Sequence, residues 1–380
     1  KADSALNGDA MLTAEGNFSA DNDGRKKNVA VLSYQTTSNG KDAVRMRAGD
    51  AVSREFSGGL NGSSGSGAHW LLGGSSFGNA DDNFSLSAPY LPYNYLDLAV
   101  GDFDGDGIDE IAYYAGVSTP VVDVWKLQKT DGDSYMESKN WKRAWRYNLP
   151  KTDGLIPNMV SLAAADIDKD GIDDLAISYG YYKYKGAAQA SKAVVLMGAD
   201  NSQMMTRTYD IPLENVYRAG LTAGDIDNDG RNELIVGGSA DTKNRDKRYL
   251  AIYGWNGRGF NRLAAQNVNP TDGTWPNLTH SYDKYYTSLP YMVANMTTGK
   301  FYGLGDGSCI YMDSIILRYG SGGIEVLDQV SMFANKFHLG YEPNNAINQA
   351  MFFVEWGAQA ADLTGNGQET VGVSRSPIQL

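Results

Sequence analysis

Three stretches of the chain place carboxylates at alternate positions in a short loop. The first carries Asp102, Asp104 and Asp106, then Gly107 and Glu110. The second carries Asp166, Asp168 and Asp170, then Gly171 and Asp174. The third carries Asp225, Asp227 and Asp229, then Gly230 and Glu233. Alternate side chains in a tight loop converge on one point. The glycine permits a sharp turn that brings the next carbonyl inward, from Ile108, Ile172 or Arg231. The last acid closes the shell. All-oxygen ligation by several carboxylates suits calcium, whose coordination is flexible, better than magnesium, which demands a strict octahedron and keeps its waters. Zinc is disfavoured, because no His or Cys lies near these loops. Without a cation, four carboxylates gathered at one point repel one another.

The first half of an EF-hand loop has the same appearance, but an EF-hand needs a bidentate Glu at its twelfth position and a helix on either side. Here that position holds Tyr113, Ile177 or Val236, and the flanks read as strands. A fourth loop, with Asp362, Thr364 and Asn366 before Gly367, keeps one carboxylate and is expected to bind calcium weakly. An amino-terminal loop has Asp21 and Asp23 before Gly24, but Lys27 where the closing acid should be, so it is expected to be empty.

Each loop must be held by the strands around it, and these repeat. Residues 98–116 read LAVGDFDGDGIDEIAYYAG, 162–180 read LAAADIDKDGIDDLAISYG, and 221–238 read LTAGDIDNDGRNELIVGG. Decayed copies occupy 358–376 and 12–35, and another lies near 297–320 with its acidic positions lost. The loops begin at Asp102, Asp166, Asp225 and Asp362, so the last interval is about twice the others and leaves room for the copy between. A third strand follows each strong motif, at 121–127, 192–198 and 248–257, and a fourth follows in turn, as at 205–211. Alternation and short β-rich runs dominate, and no long segment has a helical period. The Gly/Ser-rich stretch 57–76 reads as a long loop in the first repeat.

Composition agrees with such a chain. Among 380 residues, 44 are Gly and 24 are Tyr, a usage that suits many short strands joined by tight turns. The net charge of −12 argues against nucleic acid, which needs a basic footprint. The single cysteine, Cys309, precludes an internal disulfide, and no apolar run approaches the length of a membrane span.

The strand–DxDxDG–strand unit resembles the FG-GAP or VCBS repeat of integrin α-subunit propellers and of many secreted microbial proteins. The resemblance implies an all-β, calcium-binding β-propeller of about seven blades, within a range of six to eight, filling residues 1–380 as one domain. It further implies structural calcium in the loops between the two innermost strands of a blade, an extracellular or cell-surface location, and a ligand face at the opposite end.

That face is expected from segments entering the innermost strands and from loops joining second to third strands. Aromatic residues crowd there, Tyr93 and Tyr95, Tyr182, Tyr217, Trp275, Tyr285 and Trp356, with the cation Arg218 beside Tyr217. Exposed aromatics with polar neighbours mark sugar- or protein-binding surfaces. The expectation is therefore a binding or adhesion module for glycan or protein. A polysaccharide lyase on the same fold is the enzymatic alternative, with His280, Arg218 and Tyr282 as its candidate base and cation, and a structural subunit of a surface assembly is a third. Catalytic signals are sparse: there are three histidines and no nucleophile-elbow, zincin or phosphate-loop motif. The last motif ends close to Leu380, so the sequence also predicts a fragment, or a ring completed by another chain or segment at an unclosed edge.

Overall fold

A computed structural model describes residues 10–20, 28–36, 42–50, 55–56, 70–72, 96–115, 120–132, 134–152, 157, 159–181, 189–199, 207–240, 248–268, 293–301, 308–312, 315–329, 351–361 and 369–379. The strands form six antiparallel sheets in chain order. The second sheet runs Leu96–Gly101 (β6), Glu110–Ala115 (β7), Val121–Leu127 (β8) and Trp141–Asn148 (β9), each strand paired with the next. The third repeats this with Met159–Ala165 (β10), Asp174–Gly180 (β11), Lys192–Met197 (β12) and Arg207–Ile211 (β13). The fourth comprises Tyr217–Gly224 (β14), Glu233–Ser239 (β15), Arg248–Trp255 (β16) and Phe260–Asn267 (β17). The copy that lost its acids still folds as the fifth sheet, Met296–Gly299 (β18), Cys309–Met312 (β19), Ile315–Gly320 (β20) and Gly323–Gln329 (β21). Strand pairing needs alternation and hydrogen bonds, not carboxylates.

The first sheet contains Ala10–Gly16 (β1), Asn28–Thr36 (β2), Asp42–Asp50 (β3) and Glu55–Phe56 (β4). A short strand, Trp70–Leu72 (β5), pairs with β3 through Val44, Ala43 and Asp42. This corrects the reading of 57–76 as loop throughout: three consecutive large apolar residues inside the Gly/Ser run are enough to find an edge. Met351–Ala361 (β22) and Thr370–Gln379 (β23) form the sixth sheet.

The innermost strands β1, β6, β10, β14, β18 and β22 lie beside one another in that order. Sheets arranged radially around their first strands make a β-propeller, and six of them stand within the expected range. The core lies between blades rather than within them. Ala112, Tyr114, Val122 and Val124 of the second blade pack against Leu162, Leu175, Ile177 and Leu196 of the third. The second strands β11 and β15 are buried along their whole length, while β17 is exposed on most of its residues. That gradient explains why the inner strands read as apolar runs and the outer ones as alternating polar sequence. Among the described residues no helix is long and apolar enough to cross a membrane.

Candidate metal centres

Every acidic loop joins the first strand of a blade to its second, β6 to β7, β10 to β11 and β14 to β15. The three loops therefore stand at the same end of the propeller. Gly107, Gly171 and Gly230 have φ of +83°, +89° and +80°, a left-handed conformation that other residues adopt at a cost. The sequence places glycine where the turn requires it.

Side-chain and backbone groups within each loop repeat one hydrogen-bond pattern. The first Asp folds over the turn. Asp102 accepts from Asp106 N at 3.1 Å and Gly107 N at 2.8 Å. Asp166 accepts from Asp170 N at 3.1 Å and Gly171 N at 2.9 Å, and Asp225 from Gly230 N at 3.0 Å. The closing acid reaches back to the second residue of the motif. Glu110 accepts from Phe103 N at 3.0 Å, Asp174 from Ile167 N at 3.0 Å and Glu233 from Ile226 N at 3.1 Å. Phe103, Ile167 and Ile226 are themselves buried. The second position, which the sequence pattern left open, is thus an apolar anchor that fixes the loop to the core.

Ligand atoms of Asp102, Asp104 and Glu110 come within 4.8 Å of one another, as do those of Asp166, Asp168 and Asp174, and of Asp225, Asp227 and Asp229. Three of the four expected carboxylates meet in each loop; Asp106, Asp170 and Glu233 stand just outside. Burial and the neighbouring acids push Glu110 up to about 9, Asp174 up to about 7 and Glu233 up to about 7. Oδ1 of Asp104, Asp168 and Asp225 and Oε1 of Glu110 are buried without a hydrogen-bond partner. Buried carboxylate oxygens with no donor are what a bound cation satisfies. An all-oxygen donor set of this kind fits calcium.

The first loop differs from the other two. Lys126, on β8, hydrogen-bonds through Nζ to Asp104 and to Asp106 (2.7 Å), and stands 3.6 Å from Glu110 Oε1. Burial works against its charge, but hydrogen bonds to Asp104 and Asp106 and the charge of Glu110 raise its pKa. In the second loop Arg207, half exposed, stands 3.8 Å from Asp168 Oδ2. In the third, the described residues form no ion pair to the acidic cluster.

The residue just before the closing acid, also unread in the sequence, joins each blade to the one before. Asp173 N donates to Asp102 O (2.9 Å), and Asp173 Oδ2 accepts from Asp102 N (3.0 Å). Asp109 N donates to Asn17 O (2.8 Å), and Asp109 Oδ2 accepts from Asn17 N (2.7 Å). Glu369 makes the same pair of bonds with Lys300. Asn232 Nδ2 donates to Asp166 O at 2.8 Å. A polar residue recurring at one motif position was the available signal. Each acidic loop is thereby braced against its neighbour.

Most residues expected at the opposite end, namely Tyr93, Tyr95, Tyr182, Trp275, His280, Tyr282 and Tyr285, lie outside the described residues, as do Asp362, Thr364 and Asn366 of the fourth loop. Trp356 falls in β22, without a described side chain. Arg218, expected on the ligand face, lies at the start of β14. It is 2% exposed, with φ of +57°, in the irregular register between Tyr217 and Gly220. A register irregularity of this kind is not foretold by strand alternation alone.

The FG-GAP repeat model matches residues 160–196, the greater part of the third blade. No curated protein matches the chain. Among solved structures, the six-bladed propeller lectin of Aleuria aurantia is 10% identical, covers 96% of this chain and 94% of its own, and has a TM-score of 0.42. A lectin of Agrocybe aegerita, described as recognising non-reducing terminal N-acetylglucosamine, is 15% identical over 73% of this chain and 60% of its own, with a TM-score of 0.34. The Vibrio cholerae biofilm matrix protein Bap1 is 14% identical over 68% of this chain and 39% of its own, at 0.29. Likenesses this distant carry no argument about ligand or activity. The sheets, the repeating loops and the matched repeat together make the chain a β-propeller of FG-GAP type.

Proposed function

We propose that the chain is a calcium-stabilised binding module, working outside the cell, that offers a glycan or protein the end of the propeller opposite its acidic loops. The observation that carries the calcium part is the buried, donorless carboxylate oxygen found in the second and third loops, Oδ1 of Asp168 and Oδ1 of Asp225, among the acids gathered there. Asp166, Asp168, Asp170 and Asp174 would hold one ion, and Asp225, Asp227, Asp229 and Glu233 another, with the carbonyls of Ile172 and Arg231. The bound ion supplies positive charge that lets these acids ionise together. The loops are braced across blade junctions, so the ion acts on the rigidity of the ring.

The ligand part rests on separation and composition. All three loops occupy one end. The segments that enter β6, β18 and β22 from the other end are the aromatic ones in the sequence, and the acidic loops leave that end free for recognition.

Melting with saturating calcium and with excess chelator tests the first part. An ion present at ~1,000 times its Kd stabilises the folded state by about 4 kcal/mol per site, so the melting temperature falls on chelation. Unchanged melting overturns the calcium reading. A glycan array and a panel of extracellular matrix proteins test the second part. Saturable binding to one arm identifies the ligand class, and retention on neither refutes a binding module. Uronate polysaccharides, followed by ultraviolet absorbance, show unsaturated products only if the chain is a lyase.

A further inference from the structure

The three loops share one acidic pattern but do not share their surroundings. The strand pairing sets which side chain of the third strand stands over each cluster. In the second blade Ile111 pairs with Trp125, so Lys126 is the next residue, over the acids. In the third blade Leu175 pairs with Leu196, which puts Met197 at that place. In the fourth Leu234 pairs with Tyr253, which puts Gly254 there. One blade thus carries a primary ammonium where the others carry a thioether or no side chain at all.

The burial of the clusters follows the same order. Asp104, under Lys126, is 5% exposed; Asp168 is 10% exposed; Asp227 is exposed. Lys126 itself is 23% exposed, and its Nζ touches three of the four acids of its loop. An ammonium is a compact point charge with three donors, well suited to acids that converge from different directions. It competes directly for the oxygens a metal ion would use.

We propose that Lys126 serves as the built-in cation of the first loop, so that calcium loads the second and third loops but not the first. This rests on the calcium reading of the two other loops. The second blade is then held in shape at any calcium concentration, whereas the third and fourth depend on the ion. The ring has one permanently neutralised loop next to two loadable ones, and a fall in calcium loosens it from a defined side.

Counting bound calcium on the full chain, by equilibrium dialysis against calcium alone, tests this. The wild type is expected to bind two ions, and Lys126→Met, which copies the third blade, is expected to bind one more. An equal count in the two proteins overturns the proposal. Asp104→Asn in the wild type serves if Lys126→Met fails to fold. It leaves the count at two, while Asp168→Asn lowers it to one; a lost ion in Asp104→Asn also overturns the proposal. Three ions on the wild type refute the role of Lys126 alone. No ions on the wild type and one on Lys126→Met refute calcium in the second and third loops but uphold Lys126. None on either sinks both. Hydrogen exchange on chelation gives an independent readout: protection falls in 165–180 and 224–239 and holds in 101–115. Equal loss in all three segments refutes the built-in cation.

Discussion

Replacing Gly101 with alanine probes the junction that ties the first acidic loop to the third blade. An ideal Cβ at Gly101 would lie 2.7 Å from Asp173 Oδ2, 3.0 Å from Asp173 Cβ and 3.1 Å from Ala164 Cβ. Asp173 must therefore retreat, and the bond from Asp102 N to its carboxylate is lost. A hydrogen bond to a charged acceptor contributes about 1.5–3 kcal/mol, and overpacking a tight contact costs about 1–3 kcal/mol. Part of this is offset. Burial and the nearby Asp109, Asp102 and Asp166 push the Asp173 carboxyl up to about 6, so moving it into water relieves some electrostatic strain. The expected net loss is about 3 kcal/mol, read as a lower denaturant midpoint in saturating calcium. The next junction provides the control. There the inner strand ends in Ala165, and Asn232 donates to the Asp166 carbonyl instead of accepting from its N–H. Gly101→Ala with Asp173→Asn imitates that pair, and the double mutant should regain about 1 kcal/mol over the sum of the single changes. A Gly101→Ala protein within about 0.5 kcal/mol of wild type, the range of an ordinary surface change, would refute the clamp. So would strict additivity of the two substitutions.

Two further outcomes follow from buried groups. Asp97 accepts from Leu98 N (2.8 Å) and, across the blade junction, from Leu162 N (2.6 Å), and burial pushes its carboxyl up to about 7. Its folded value lies above the unfolded value of about 4, so the stabilisation it gives is complete below pH ~4 and is lost as pH rises to about 7. The melting temperature of wild type should fall relative to Asp97→Asn over that window and level off above it; a pH-independent difference would exclude this account. Cys309 is fully buried on β19, and burial pushes its thiol up. A thiol reagent should leave the native protein unmodified and label one site per chain after unfolding; rapid labelling of native protein contradicts the packing.

The acidic loops were legible because their pattern is local. Alternate acids, a left-handed glycine and a closing acid sit within nine residues, and no distant contact is needed to assemble them. The strands around them were legible for a similar reason, since pairing and burial impose a period on the sequence. The fifth blade shows how far this goes: 297–320 had lost its acids but kept the apolar runs that became β19 and β20.

Other features depended on register and on which blade follows which. Lys126 reads as an ordinary strand residue; only the pairing of Ile111 with Trp125 brings it over acids 16 to 22 residues earlier in the chain. Asp109, Asp173, Asn232 and Glu369 read as solvated loop residues, yet they bind backbone groups of the preceding blade. Arg218 read as a ligand-face cation, and neither its burial nor the register irregularity beside it was legible. The sequence by itself determined the repeat, the acidic loops and the β-rich class, because each is written in short-range spacing. Tertiary structure alone decided which loop carries its own cation and how each blade grips the last, because those contacts join atoms that only the packing of neighbouring strands and blades brings within bonding distance.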